Sequence, residues 1–346
     1  MQNHMNSNSH FEHEGRKPTT ADIAKPQMRP QDTQSFGDGP NDPVPDGRAP
    51  DPQVQAQQTL ARERHAEACG ALDDLRRSVT ALTGYPVRIQ LEPLSEQFDG
   101  CVEIAPLMRQ DCHLIRCSTA LPPFVRPHAI GHELVHIRLE FEASAAGRAR
   151  SFFQTPRTRK NFASLYAEHK NLLRCFGLVK PDVFDQAAAR DASMLLTILF
   201  SRAVDMAVEA WIHRHLPCLS AAQFLAFHYF QATVPTPAQV LAEPTLLRPR
   251  GLDIVSLALN GVQALMQDSF FPGASDFAAP YRHTAVFPLA SQLWQHWLSV
   301  CPALGPGDEY DLADAFGKIV GLSQAYESRT YSRQRPAAGD GHGETR

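Results

Sequence analysis

His132, Glu133 and His136 stand in the run His132-Glu133-Leu134-Val135-His136. Two histidines four residues apart project from the same face of a helix. From that face both imidazoles reach one zinc ion at about 2.0–2.1 Å. In an H-E-x-x-H run the glutamate is not a ligand. It takes a proton from zinc-bound water and passes it to the leaving amine. Zinc makes this feasible near neutral pH by lowering the pKa of that water to about 7. The chemistry suited to these residues is hydrolysis of a peptide or amide bond, with Glu133 as general base. The competing reading is a surface helix with two solvated histidines. Against it, Ile130, Leu134, Ile137 and Phe141 fall at i, i+4, i+7 and i+11, an apolar stripe that faces a core.

The elements that must position this helix follow from periodicity. Leu72, Leu75, Val79 and Leu82 predict a helix over 53–83, which Gly84 ends. Alternating Val87, Ile89 and Leu91 predict a strand over 86–91, and further strands are expected over 101–104 and 112–117. From Pro127, which suits a first helical turn, the pattern is helical almost to the end. Helices are predicted over 127–145, 159–176, 184–216, 220–232, 252–270, 286–300 and 310–326. The expected fold is α+β and helix-rich, with a small mixed sheet packed on the motif helix and a mainly α-helical body. Residues 1–52 and 329–346 are polar and rich in Pro, Gly and Ser, and are expected to be disordered tails. Between them, 53–216 is read as the metal-binding core and 217–328 as a helical C-terminal region.

A strand, a short turn and then a helix carrying HELVH resemble the zincin superfamily of metallopeptidases, over residues 85 to 216. The resemblance implies that His132 and His136 are zinc ligands and Glu133 the general base. It implies that the strand near His113 to Cys117 is the edge along which an extended substrate pairs. It also implies an oxyanion donor from outside the motif, for which Tyr281 and His283 are the candidates; His283 is carried as the catalytic one.

A third protein ligand is required. The metzincin pattern fails, because Leu139 stands at its glycine and Glu142 at its third histidine. The gluzincin arrangement, with a glutamate from a later helix, remains. The segment 190–216 is apolar on nearly every side, yet Arg202, Asp205, Glu209 and His213 fall on one narrow stripe. Buried carboxylates are costly unless paired or bound to a metal. Glu209 is therefore expected as the third ligand, and Asp205 as its partner, hydrogen-bonding a ligand histidine and fixing its tautomer. The alternative ligand is Glu168, closer in sequence but on a less apolar helix. The plain alternative for the stripe is an internal ion-pair row without metal.

Composition narrows the function further. A formal net charge of −4 excludes a general nucleic-acid binder. No apolar run approaches eighteen residues, so no membrane span is expected. The seven scattered cysteines, without a CxxC pair or an apolar leader, read as free thiols in the cytoplasm, with non-classical export the other route. Cys112, His113 and Cys117 are read as packing residues. His4, His10 and His13 are read as part of a polar tail. Arg148, Arg150, Arg157, Arg159 and Lys160 occur between Ala143 and Ala167 with no acid, which reads as a solvated segment or as a flap attracting an acidic partner. The expectation overall is a zinc-dependent hydrolase acting on a peptide or protein substrate. The alternative is a helical interaction or regulatory protein whose zinc site is structural or vestigial.

Overall fold

The computed structural model describes residues 52–94, 100–175, 181–242 and 248–331. The expected tail 1–52, with His4, His10 and His13, lies outside the described residues up to 51, and Pro52 begins the first helix. The stretch beyond 331 also lies outside them. From Ala66 onward the described chain forms one compact unit.

Helix α1 (Pro52–Thr83) leads into a three-stranded mixed sheet. Its end is set by Gly84, whose φ of 78° lets the chain turn while its N–H closes on Thr80 O at 2.9 Å. Strand β1 (Val87–Glu92) is parallel to β3 (His113–Ser118), and β2 (Gly100–Glu103) is antiparallel to it, in the order β1-β3-β2. The short helix α2 (Ala105–Met108) joins β2 to β3. The expectation that β3 is a free edge is therefore corrected: β3 is the central strand, and the edges are β1 and β2. Its inward residues serve packing, as their types suggested. The ring of His113 is fully buried, accepting from Ala105 N–H at 3.1 Å through Nδ1, so that Nε2–H faces Thr83 Oγ1 at 3.1 Å. Cys112 and Cys117 are buried as well, and all seven cysteines are free.

Helix α3 (Arg126–Ala145) carries the HELVH run, and Leu134, Ile137 and Phe141 bury its apolar stripe against Leu75, Val79 and Ile115. After it come β4 (Arg150–Phe153), α4 (Pro156–Ser164), α5 (Ala167–Cys175) and the long α6 (Pro181–His215). The single helix expected over 159–176 is thus two, separated at Leu165 and Tyr166. The remaining body is α7 (Ser220–Thr233), α8 (Pro237–Ala242), α9 (Arg250–Phe270), α10 (Ala279–Arg282), α11 (Phe287–Val300), α12 (Asp308–Ile319) and a last strand, β5 (Glu327–Thr330). Helix α6 is the common wall of two apolar clusters. Leu195, Leu199, Ala203 and Met206 face the helical body, whereas Val204, Val208 and Ile212 face the sheet and α3. No helix among the described residues is long and apolar enough to cross a membrane.

Two expectations change where β4 and its flanks meet the C-terminal part of the chain. Strand β5 pairs antiparallel with β4, so 329 and 330 belong to the fold and not to a tail. The basic segment beside β4 does meet acids, but they are the chain's own. Arg148 pairs with Asp308 at 2.6 Å, Arg150 with Asp314 at 2.7 Å and with Asp311, and Arg157 with Glu327 at 3.1 Å. The opposite charges come from 150 residues or more downstream, which no local pattern reveals.

Candidate metal centre

Along α3, His128, His132, His136, Glu140 and Ser144 recur every four residues, and all are buried. This polar line lies against α6, which answers with Arg202, Asp205 and Glu209 at 6%, 0% and 0% exposure. A polar seam inside two apolar clusters is costly unless each charge is matched.

Three donor atoms converge at its centre. His132 Nε2 and His136 Nε2 are 2.9 Å apart, and Asp205 Oδ1 lies 3.5 Å from the first and 3.2 Å from the second. Ligands held tetrahedrally about an ion at 2.0–2.1 Å are separated by about 3.3 Å. The triangle fits a small divalent ion, and its donors, two imidazoles and a carboxylate, are a set that zinc accepts.

Glu209, expected as the third ligand, occupies a different place. Its Oε1 is 2.9 Å from Nδ1 of His132, on the side of the ring opposite Nε2. Its Oε2 is 2.9 Å from His128 Nε2 and 2.7 Å from Gln223 Nε2. Asp205 and Glu209 have thus exchanged the positions expected of them. Asp205 stands with the two motif histidines, and Glu209 stands behind His132. The reason is helix phase: α6 crosses α3 so that Asp205 points between His132 and His136, one turn away from Glu209. A second cation-sized grouping, His128, His132 and Glu209, uses the other nitrogen of the same His132 ring.

No known protein family, curated protein or solved structure matches this chain. What the centre can do is accordingly argued from its own geometry.

Electrostatics follow from enclosure. Glu133 is 4% exposed, and burial pushes its carboxyl up, opposed by the neighbouring His136 and His132 and aided by Asp205. Burial also disfavours charge on Asp205 and Glu209. Hydrogen bonds from His132 and His136 nevertheless hold Asp205 well below the usual carboxylate range, and the charges and N–H groups of His128 and His132 do the same for Glu209. An ionised carboxylate can only accept, so His128 Nε2 and His132 Nδ1 carry the protons they share with Glu209. Burial works against a charged His132, but its bonds to Asp205 and Glu209 win and push it up to about 10. Without a metal, a proton thus does part of an ion's work.

That gives a pH dependence for the metal-free protein. A histidine raised from 6.5 to about 10 adds stability that is complete below about pH 6.5 and lost as pH rises through 10. Depressed carboxylates add stability that is present above about pH 4 and lost as pH falls below it. The melting temperature of the chelated protein should therefore peak near pH 5–6.5 and decline on both sides. A melting temperature still rising at pH 9 would contradict the His132 assignment.

The remaining expected residues lie elsewhere. His283 is exposed just after α10, and among the described residues no hydrogen bond or ion pair ties it to the buried cluster. Its neighbour Tyr281 is buried instead, beside Arg202. The side chain of Glu168 lies outside the described residues, on α5. His213 does not join an ion-pair row; it stacks on Phe270 at 4.4 Å and meets Gln223 at 3.4 Å. Sequence reasoning passed over His128, although it precedes His132 by the same four residues that separate His132 from His136. It also passed over Gln223, for which no sequence signal exists.

Proposed function

We propose that this chain is a zinc-dependent hydrolase, most simply a metallopeptidase, with His132, His136 and Asp205 as ligands. The observation that carries the reading is the convergence of His132 Nε2, His136 Nε2 and Asp205 Oδ1 within 3.5 Å, next to Glu133. Charge supports it: four buried carboxylates, Glu133, Glu140, Asp205 and Glu209, lie on α3 and α6, where Arg202 is the buried guanidinium, and a cation would offset part of that negative surplus. Zinc bound there would supply a Lewis acid that acidifies water and polarises a carbonyl. The chain's own residues do the rest. Glu133 takes a proton from the attacking water as its oxygen bonds to the carbonyl carbon. It then delivers that proton to the nitrogen as the C–N bond breaks. Burial, by raising the affinity of Glu133 for a proton, suits it to both halves of that exchange. Glu209 holds the Nδ1 proton of His132 and so keeps Nε2 turned toward the ligand triangle.

A substrate strand would pair with β2 rather than β3. Gly100, at the start of β2, faces the carboxylate of Glu133: a Cβ there would be in ordinary contact, 3.5 Å from Oε1. Peptide or protein substrates in a reducing, cytoplasmic setting suit the seven free thiols. The test is metal analysis of purified protein together with cleavage of a peptide library. One zinc per chain with chelator-sensitive cleavage is expected; no stoichiometric metal would sink the proposal.

One observation favours a second reading. Every donor is enclosed, with His136 at 2% and His132 and Asp205 at 0% exposure. An ion so placed ties α3 to α6 and would serve structure in a helical interaction protein. Its mark is a fold that melts on chelation while no library peptide is cut.

A further inference from the structure

Asp205 and Glu209 compete for one role, and what separates them carries an inference that rests on the metal reading above. Glu209 has the longer side chain, and one of its oxygens is already 2.9 Å from His132. A free carboxylate of that reach would be drawn to a cation on the far side of the ring and could enter as an additional ligand. It is not free. Oε2 accepts from His128 Nε2 at 2.9 Å and from Gln223 Nε2 at 2.7 Å, while Oε1 accepts from His132 Nδ1. Gln223 Nε2 also donates to the backbone carbonyl of Glu209 at 3.1 Å, clamping main chain and side chain together. The two anchors come from different elements, α3 and α7, and both side chains are fully buried. The Nδ1 of His128 has no hydrogen-bond partner among the described residues, so the polar work of this ring is its bond to Glu209. A buried imidazole kept for one contact, edge-on to Phe227 at 5.9 Å, is an expensive way to fill space.

We propose that His128 and Gln223 are positioning residues of the metal centre. They hold Glu209 outside the ligand triangle, so that Asp205 is its only carboxylate. The consequence is chemical. A second carboxylate on the ion would lower its positive charge and crowd the position where water must bind, weakening it as a Lewis acid.

The experiment uses the full chain loaded with cobalt(II), whose visible bands report coordination number, alongside zinc affinity measured by competition with a chelator. Wild type is expected to hold one ion with the intense bands of four-coordination. In His128→Leu the bands should weaken toward those of higher coordination, with zinc affinity changed by about tenfold. His128→Gln, which keeps a side-chain N–H, should restore both. Gln223→Leu should shift the bands in the same direction, and it carries the test if His128→Leu fails to fold. Wild-type bands and affinity in these leucine variants, even with lowered melting temperatures, would overturn the proposal by showing a purely structural role. Wild type without stoichiometric metal would overturn the metal reading itself, and the wild-type arm alone reveals that outcome.

Discussion

Glu133→Gln should abolish hydrolysis while leaving one zinc per chain in place. The amide keeps the size of the carboxylate and its packing under Gly100, but it cannot accept the proton of water. Loss of a general base costs about 10²–10⁴-fold in rate. The proposed ligand atoms belong to His132, His136 and Asp205, so metal content should not change. Removing a buried carboxylate whose affinity for protons is raised by burial should also leave the fold intact or slightly firmer. The measurement is paired: turnover of a cleaved peptide and zinc content of the same preparation. Undiminished turnover would remove Glu133 from the chemistry, and lost zinc would make it a ligand.

The second large effect separates Asp205 from Glu209. Asp205→Ala should lose the metal and destabilise the protein even when metal is absent. Arg202 lies 3.9 Å from Asp205 Oδ2 at 8% side-chain exposure, and it would keep Asn260 at 3.2 Å but lose its carboxylate. Breaking one side of a buried pair costs about 3–5 kcal/mol. Glu209→Gln should instead retain zinc, weakened about 10–100-fold, because the ligand triangle stays while the support behind His132 changes. Zinc content and thermal unfolding of the two variants, measured together, decide the matter. Metal retained in Asp205→Ala and lost in Glu209→Gln would reverse the assignment.

The difference between these two residues also shows where sequence reading stops. The four-residue spacing of His132 and His136 was enough to place both on one buried helical face, because the period of a helix is local. The polar stripe of Arg202, Asp205 and Glu209 was legible for the same reason: charges inside an apolar helix stand out. Which of the two acids points at the histidines was not legible. It depends on how α6 is rotated against α3, and that is fixed by contacts with α9 and α12, far away in the chain. Strands β4 and β5 were missed because each has four residues and their pairing spans more than 170 positions. The acids that neutralise Arg148 and Arg150 were hidden in the same way. A loop histidine such as His283 carries no periodicity that could place it.

The length of α6 turns this into a constraint on how the protein can change. It is one unbroken helix of 35 residues. Its first half buries Phe184, Ala188, Ala192 and Leu195 in the helical body, and its second half presents Asp205 to the histidines. Inserting or deleting one residue between those halves would rotate everything beyond it by about 100°. Asp205 would then face apolar side chains, Arg202 would leave it, and no loop intervenes to absorb the twist. Point substitutions in the body can be tolerated one at a time, but a change of length within this helix resets the centre as a whole.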